Sequence, residues 1–200
     1  SSDLSKPALR SRTAGLHVAI PGTARTRTIS MYFHGRLAVS PGNTRIAESG
    51  WVWGPVGVLA SWDLKAWVTD NLWESEDGAT LEHMANRHSS WDEPMCWSDD
   101  VCLAVWGYGN DAVNWRPAVS IHDTRTGCLQ SWFAGPELGA LYFDGRVVNA
   151  IPGGGVSAWD IDRGQRIAMD LGCTVLAINS RTGRLLSWVN GKLCGSVIDG

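Results

Sequence analysis

The chain has 200 residues, 44% of them hydrophobic and 18% charged, which excludes a disordered polymer and allows one domain with a buried core. No run approaches the roughly 18 apolar residues of a membrane-crossing helix. The net charge of −3 conceals a segregation, because residues 1–45 carry seven Lys and Arg against one Asp while residues 48–111 carry twelve acids against Lys65 and Arg87. Charge parted in this way along one chain marks interaction surfaces.

Residues 1–13 are polar, contain Pro7 and show no period. They read as a basic arm carrying Lys6, Arg10 and Arg12, with Arg25 and Arg27 following, ahead of a domain over residues 14–200. Such an arm is either a solvated tail or a contact to nucleic acid or a neighbouring subunit, and arginines without interleaved aromatics are a weak nucleic-acid signature. The absence of an initiating Met and of an apolar signal core reads as a processed chain or a portion of a longer one.

Strand character begins with Leu16-His-Val-Ala-Ile20 and resumes from Ile29. Tyr32-Phe33-His34-Gly35-Arg36-Leu37-Ala38-Val39 runs to a break at Pro41-Gly42, and Trp51-Val-Trp53 leads into Val58-Leu-Ala-Ser-Trp-Asp63. Residues 75–90 are expected to form a helical insertion, since Leu81, Met84, Ala85 and His88 fall on one helical face and acids precede the start. Insertions between strands carry specificity, which makes His83 and Arg87 candidate binding residues. His83 and His88 are five apart, a poor spacing for two ligands on one helical face, so no metal is expected there.

Beyond it one phrase is written three times: Val119-Ser-Ile-His-Asp-Thr-Arg-Thr-Gly127, Val156-Ser-Ala-Trp-Asp-Ile-Asp-Arg-Gly164 and Val175-Leu-Ala-Ile-Asn-Ser-Arg-Thr-Gly183. Five residues past the glycines stand Trp132, Met169 and Trp188. An alternating run into Asp or Asn, a polar turn closing on Gly and a second apolar run describe a β-hairpin. The Tyr32 phrase recurs as Tyr142-Phe143-Asp144-Gly145-Arg146-Val147-Val148-Asn149, and Met95-Cys96-Trp97-Ser98-Asp99-Asp100 before Val101 is a looser copy. Hairpin, loop, hairpin makes a unit of four strands, repeated about every 40 residues. The uneven spacing, 37 residues from Gly127 to Gly164 but 19 from Gly164 to Gly183, makes the third copy the first two strands of a last unit. Pro152-Gly-Gly-Gly155 lacks a following Lys-Ser/Thr and reads as a hairpin turn rather than a phosphate loop.

Here the chain resembles the β-propellers of the WD-repeat and quinoprotein-like kinds. The resemblance rests on Trp62-Asp63 and Trp159-Asp160 for the first kind, and on Ala177-Ile-Asn-Ser-Arg-Thr-Gly183 followed by Trp188 for the second. It implies an all-β fold, a small or incomplete propeller of about four blade-like antiparallel sheets with one short helical insertion. It also implies a strand from the other terminus to complete the last sheet, and residues 16–20 are the candidate.

Twelve Trp beside three Phe and three Tyr would fill the gaps between twisted sheets. Five cysteines without a Cys-x-x-Cys pair read as buried free thiols of a reducing, cytoplasm-like compartment. No spacing defines a catalytic constellation, and no cofactor is expected. The expected function is therefore a non-catalytic protein-interaction scaffold. One alternative is a structural component of a larger ribonucleoprotein or capsid-like assembly that uses the basic arm. Another is a lectin-like propeller in which Trp51, Trp53, Trp73 and Trp91 stack sugar rings.

Overall fold

The computed structural model describes residues 17–19, 26–28, 32–54, 56–88, 90–108, 116–168 and 173–198. Among them the strands form three four-stranded sheets, one three-stranded sheet and a two-stranded ribbon. Each larger sheet is an antiparallel meander in chain order, so each is a blade. Blade 1 holds β3 (Tyr32–Val39), β4 (Arg45–Val52), β5 (Val56–Asp63) and β6 (Glu82–His88). Blade 2 holds β7 (Met95–Trp97), β8 (Cys102–Tyr108), β9 (Pro117–Asp123) and β10 (Leu129–Ala134). Blade 3 holds β11 (Ala140–Phe143), β12 (Val147–Ala150), β13 (Val156–Asp160) and β14 (Gln165–Ala168). Blade 4 holds β15 (Thr174–Ile178), β16 (Arg184–Val189) and β17 (Lys192–Val197). The first strands of successive blades, β3, β7, β11 and β15, are neighbours and form the inner ring.

The helical expectation fails over most of its length. Residues 82–88 are the outer strand of blade 1, with Leu59 paired to Ala85 and Val58 to Asn86. The helical pieces lie earlier, in a π-helical turn at Ala66–Asp70 and the short α1 (Glu74–Asp77). Met84 and Ala85 pack on the blade 1–blade 2 core, so the open sheet edge of β5 outweighed a helical period read over one short window. The expected closing strand also fails: β1 (His17–Ala19) pairs with β2 (Thr26–Thr28), and neither joins blade 4.

Three apolar clusters bind the blades in series. Ala47, Leu59 and Met84 meet Met95, Leu103 and Val105 between blades 1 and 2. Trp106, Val119, Ile121 and Phe133 meet Leu141 and Val147 between blades 2 and 3. Val148, Val156 and Ala158 meet Val175 and Leu185 between blades 3 and 4. A fourth cluster, Ile46, Val58, Ala60 and Trp62, lies on the far face of blade 1 and is packed by Tyr32, Leu64, Trp67 and Leu81 of the same blade and its helical excursion.

The repeated turn is chemically the same in each copy. The Oδ1 atoms of Asp123, Asp160 and Asn179 accept from the backbone N–H groups two and three residues on, at 2.8–3.1 Å. The closing Gly127, Gly164 and Gly183 have φ of 71°, 62° and 64°, a conformation that side chains adopt only with strain. A Cβ on Gly127 would press on the His83 carbonyl of blade 1, one on Gly164 on Phe133 of blade 2, and one on Gly183 on Tyr142 of blade 3. Each turn thus docks on the blade before it. As expected, the third copy forms the first two strands of its blade, while the other two form the third and fourth.

Candidate functional site

The strand registers of blade 1 place Phe33, Trp51, Gly57 and Arg87 in one row across β3, β4, β5 and β6. Partners in such a row share a face, so the row is turned toward blade 2. Phe33 stacks on Trp51 with ring centroids 4.2 Å apart and planes 15° from parallel. Trp53, in the turn after β4, lies 5.9 Å from Trp51, and Trp91, on the segment leading into blade 2, lies 5.7 Å from it. These four rings form a rim at the end of blade 1, and three of them are substantially exposed, Trp53 by 67%.

Glycine and backbone hydrogen bonds seat Trp91 there. A side chain on Gly57 would collide with the Ser90 carbonyl, so the missing Cβ lets the connecting segment cross the sheet closely. Asp92 N–H then donates to the Ser49 carbonyl at 3.0 Å, and Glu93 N–H to Ser49 Oγ at 3.1 Å.

At the end of the row Arg87 turns inward. Its Nη2 donates to the Trp106 carbonyl at 2.6 Å and it lies against Gly107, clamping blade 1 to blade 2. Burial pulls its guanidinium below the usual arginine range, opposed by Glu93, and burial pushes Glu93 up, opposed by Arg87. His122, buried nearby, is pushed down to about 4 by burial and by Arg87. The His122 Nε2 lies 3.0 Å from Ser120 Oγ.

On the opposite face of blade 1, Glu48 is fully buried within β4. Its carboxylate accepts from Tyr32 Oη at 3.0 Å, from His34 Nδ1 at 2.8 Å and from Gly35 N–H at 2.9 Å. A bulge between Phe33 and Arg36 lets both His34 and Gly35 reach it. Burial first, then the Glu48 charge, raises the Tyr32 phenol well above its ordinary 10. Burying a carboxylate is tolerable only when donors converge on it, and here three do.

Of the sequence candidates, the structure therefore brings together Trp51, Trp53 and Trp91. It places Trp73 at the other end of β5, beside α1, and leaves His83 exposed on β6, apart from the rings. Arg87 shares their row as a joint between blades. Lys6, Arg10, Arg12 and Arg25 lie outside the described residues, and Arg27 falls in β2 opposite Val18. Phe33, Glu48 and His34 were missed, although an isolated Glu within the strand run Arg45-Ile-Ala-Glu-Ser-Gly-Trp was a visible signal.

A cavity of about 590 Å³ lies inside the inner ring, lined by Arg36, Leu37, Met95, Trp97, Tyr142 and Arg181 among others. Arg181 Nη2 reaches from blade 4 to Asn43 Oδ1 of blade 1 at 3.1 Å. Among the described residues no three His, Cys, Asp or Glu gather as metal ligands, and no helix is long and apolar enough to cross a membrane. The rim can stack a planar or cationic group, with acidic Asp92 and Glu93 alongside.

No protein-family model and no curated protein sequence matches the chain. Among solved structures it is similar to the β-propeller domain of the Trilobed protease from Pyrococcus furiosus, at 12% identity and a TM-score of 0.50 over 82% of this chain and 56% of that one. The chain thus spans little more than half of that structure. It also matches the computationally designed Ika4 protein (17% identity, TM-score 0.48, 93% of this chain and 99% of that). A third match is the RRP9 WD40 repeats (15%, 0.46, 88% and 53%). Meander blades joined in series around an inner ring, together with the first of these likenesses, make the fold of this chain a small or incomplete β-propeller.

Proposed function

We propose that the protein is a non-catalytic interaction scaffold that engages a basic peptide segment of a protein partner on the rim formed by Phe33, Trp51, Trp53 and Trp91. The carrying observation is that four rings from three separate segments are gathered around Trp51, and that Phe33, Trp53 and Trp91 are left exposed. Folding ordinarily buries such a group, and a contiguous apolar patch rimmed by polar residues marks a contact surface. Tryptophan is the commonest anchor of protein interfaces, and a cation over its face adds about 0.5–2 kcal/mol. The acids of residues 48–111 set the sign of the preferred partner.

The test is selection of displayed random peptides on the protein, followed by titration of the winners against Trp53→Ala and Trp91→Ala. Winners rich in Arg or Lys, weakened at least about tenfold by both variants with unchanged thermal midpoints, support the reading. Winners indifferent to both variants overturn it. Ring-dependent binding on a glycan array, without peptide binding, would replace it with the lectin reading. RNA retention lost with Arg10 and Arg12 would replace it with the assembly reading.

A further inference from the structure

Four inner-ring segments wall the cavity of about 590 Å³: the end of β3, β7, the end of β11 and the turn after β15. β7 lies beside both β3 and β11, and β11 lies beside β15. Gly183 seats the turn after β15 against Tyr142, so every wall is held by a neighbouring blade. Among the described residues, the charged members of the wall are Arg36 and Arg181, two cations in a chain whose net charge is −3.

Both cations have lost the acid that accompanies their counterparts elsewhere in the repeats. In the Tyr142 phrase, Asp144 holds Arg146 through Nε at 3.1 Å and Nη2 at 2.7 Å. In the Tyr32 phrase His34 stands in place of that Asp and turns to Glu48, so Arg36 has no carboxylate bonded to it among the described residues. It acts on Glu93 by charge alone. In the repeated turn, Asp160 pairs with Arg163 at 3.4 Å and Asp123 feels the charge of Arg125. Asn179 of the third copy keeps the turn, accepting from the Arg181 and Thr182 N–H groups at 2.9 and 3.1 Å, without supplying the negative charge. Arg181 spends Nη2 on neutral Asn43, and a guanidinium with five N–H groups keeps donors for a ligand.

The rest of the wall is largely apolar, with Met95, Trp97 and Phe143 among its members. Trp97 is fixed there by its Nε1, which donates to the Ala38 carbonyl at 3.1 Å. We infer that this cavity binds a small organic anion, its flat apolar body against Met95, Trp97 and Phe143 and its carboxylate or phosphate shared by Arg36 and Arg181. The forked guanidinium matches either group. The volume falls within the roughly 300–1,000 Å³ of small-molecule sites. Arg36 belongs to blade 1 and Arg181 to blade 4, so the bound anion joins the first blade to the last. The cavity shares no residue with the aromatic rim.

Calorimetric titration of the full chain with adenosine monophosphate and with indole-3-acetate tests this and tells phosphate from carboxylate. At least one of the two should bind with a dissociation constant below about 1 mM and raise the thermal midpoint. Adenosine and indole, the same bodies without the anion, should bind at least about tenfold more weakly. Arg36→Gln and Arg181→Gln should each weaken the anion at least about tenfold while keeping the wild-type circular dichroism, and Arg36→Lys should retain part of the affinity. Trp53→Ala should change nothing, which separates this site from the rim. Neither anion binding below about 1 mM, binding that survives both Arg→Gln changes, or equal binding of the uncharged bodies would overturn the inference.

Discussion

Arg87 Nη2 donates to the Trp106 carbonyl oxygen at 2.6 Å, and this bond ties the outer strand of blade 1 to the second strand of blade 2. Because Glu93 is half-buried near Arg87, removing the guanidinium leaves the carbonyl without its donor and the carboxylate without its largest compensating charge. Arg87→Met is expected to cost about 2–3 kcal/mol in urea unfolding, and Glu93→Gln on that background to restore part of it. Additive losses would show that the two side chains do not act together.

Gly164 and Gly153 both have positive φ, of 62° and 76°. A side chain on Gly164 would press on Phe133, whereas one on Gly153 meets nothing nearby. Gly164→Val should therefore be less stable than Gly153→Val by at least about 2 kcal/mol. Equal thermal midpoints for the two variants would refute the docking role of the repeated turn.

His122 sets a pH dependence. Burial and Arg87 push it from 6.5 to about 4, so the folded chain keeps it neutral where the unfolded chain takes up a proton. Stability from this group is unaffected above pH 6.5 and falls as pH drops from there toward 4, by on the order of 3 kcal/mol in full. His122→Gln should flatten that decline, measured as urea midpoints across the window. A variant with the wild-type slope would assign the decline to other groups.

Glu48 gathers three donors, whereas Tyr32 contributes one of them. Glu48→Ala is expected to cost about 2–3 kcal/mol and Tyr32→Phe about 1 kcal/mol. The ordering is the test: equal costs would mean that the phenol, and not the carboxylate, organises the bulge.

The repeated hairpins were legible because their signals are local. Asp123, Asp160 and Asn179 write the turn into a few consecutive residues, and Gly164 closes it whatever lies around it. Residues 82–88 were misread because Leu81, Met84 and Ala85 satisfy a helical period, while the reason they form a strand, the free edge of β5, lies more than twenty residues upstream. The aromatic rim was half legible. Trp51 and Trp53 announce themselves by proximity, but Trp91 joins them only because Gly57 lets the chain cross, and Phe33 only through the register of β3 on β4. Trp73 has the same composition signal and a different address, since β5 separates it from the others.

The glycines of the repeated turn give the chain a direction of assembly. Gly127 rests on His83, Gly164 on Phe133 and Gly183 on Tyr142, and in each case the supporting residue comes earlier in the sequence. A chain emerging from the ribosome amino-terminus first thus finds each seat already built when the turn that needs it arrives. Synthesis order and stacking order coincide, which lets every new sheet be templated by its predecessor rather than wait for the whole polypeptide.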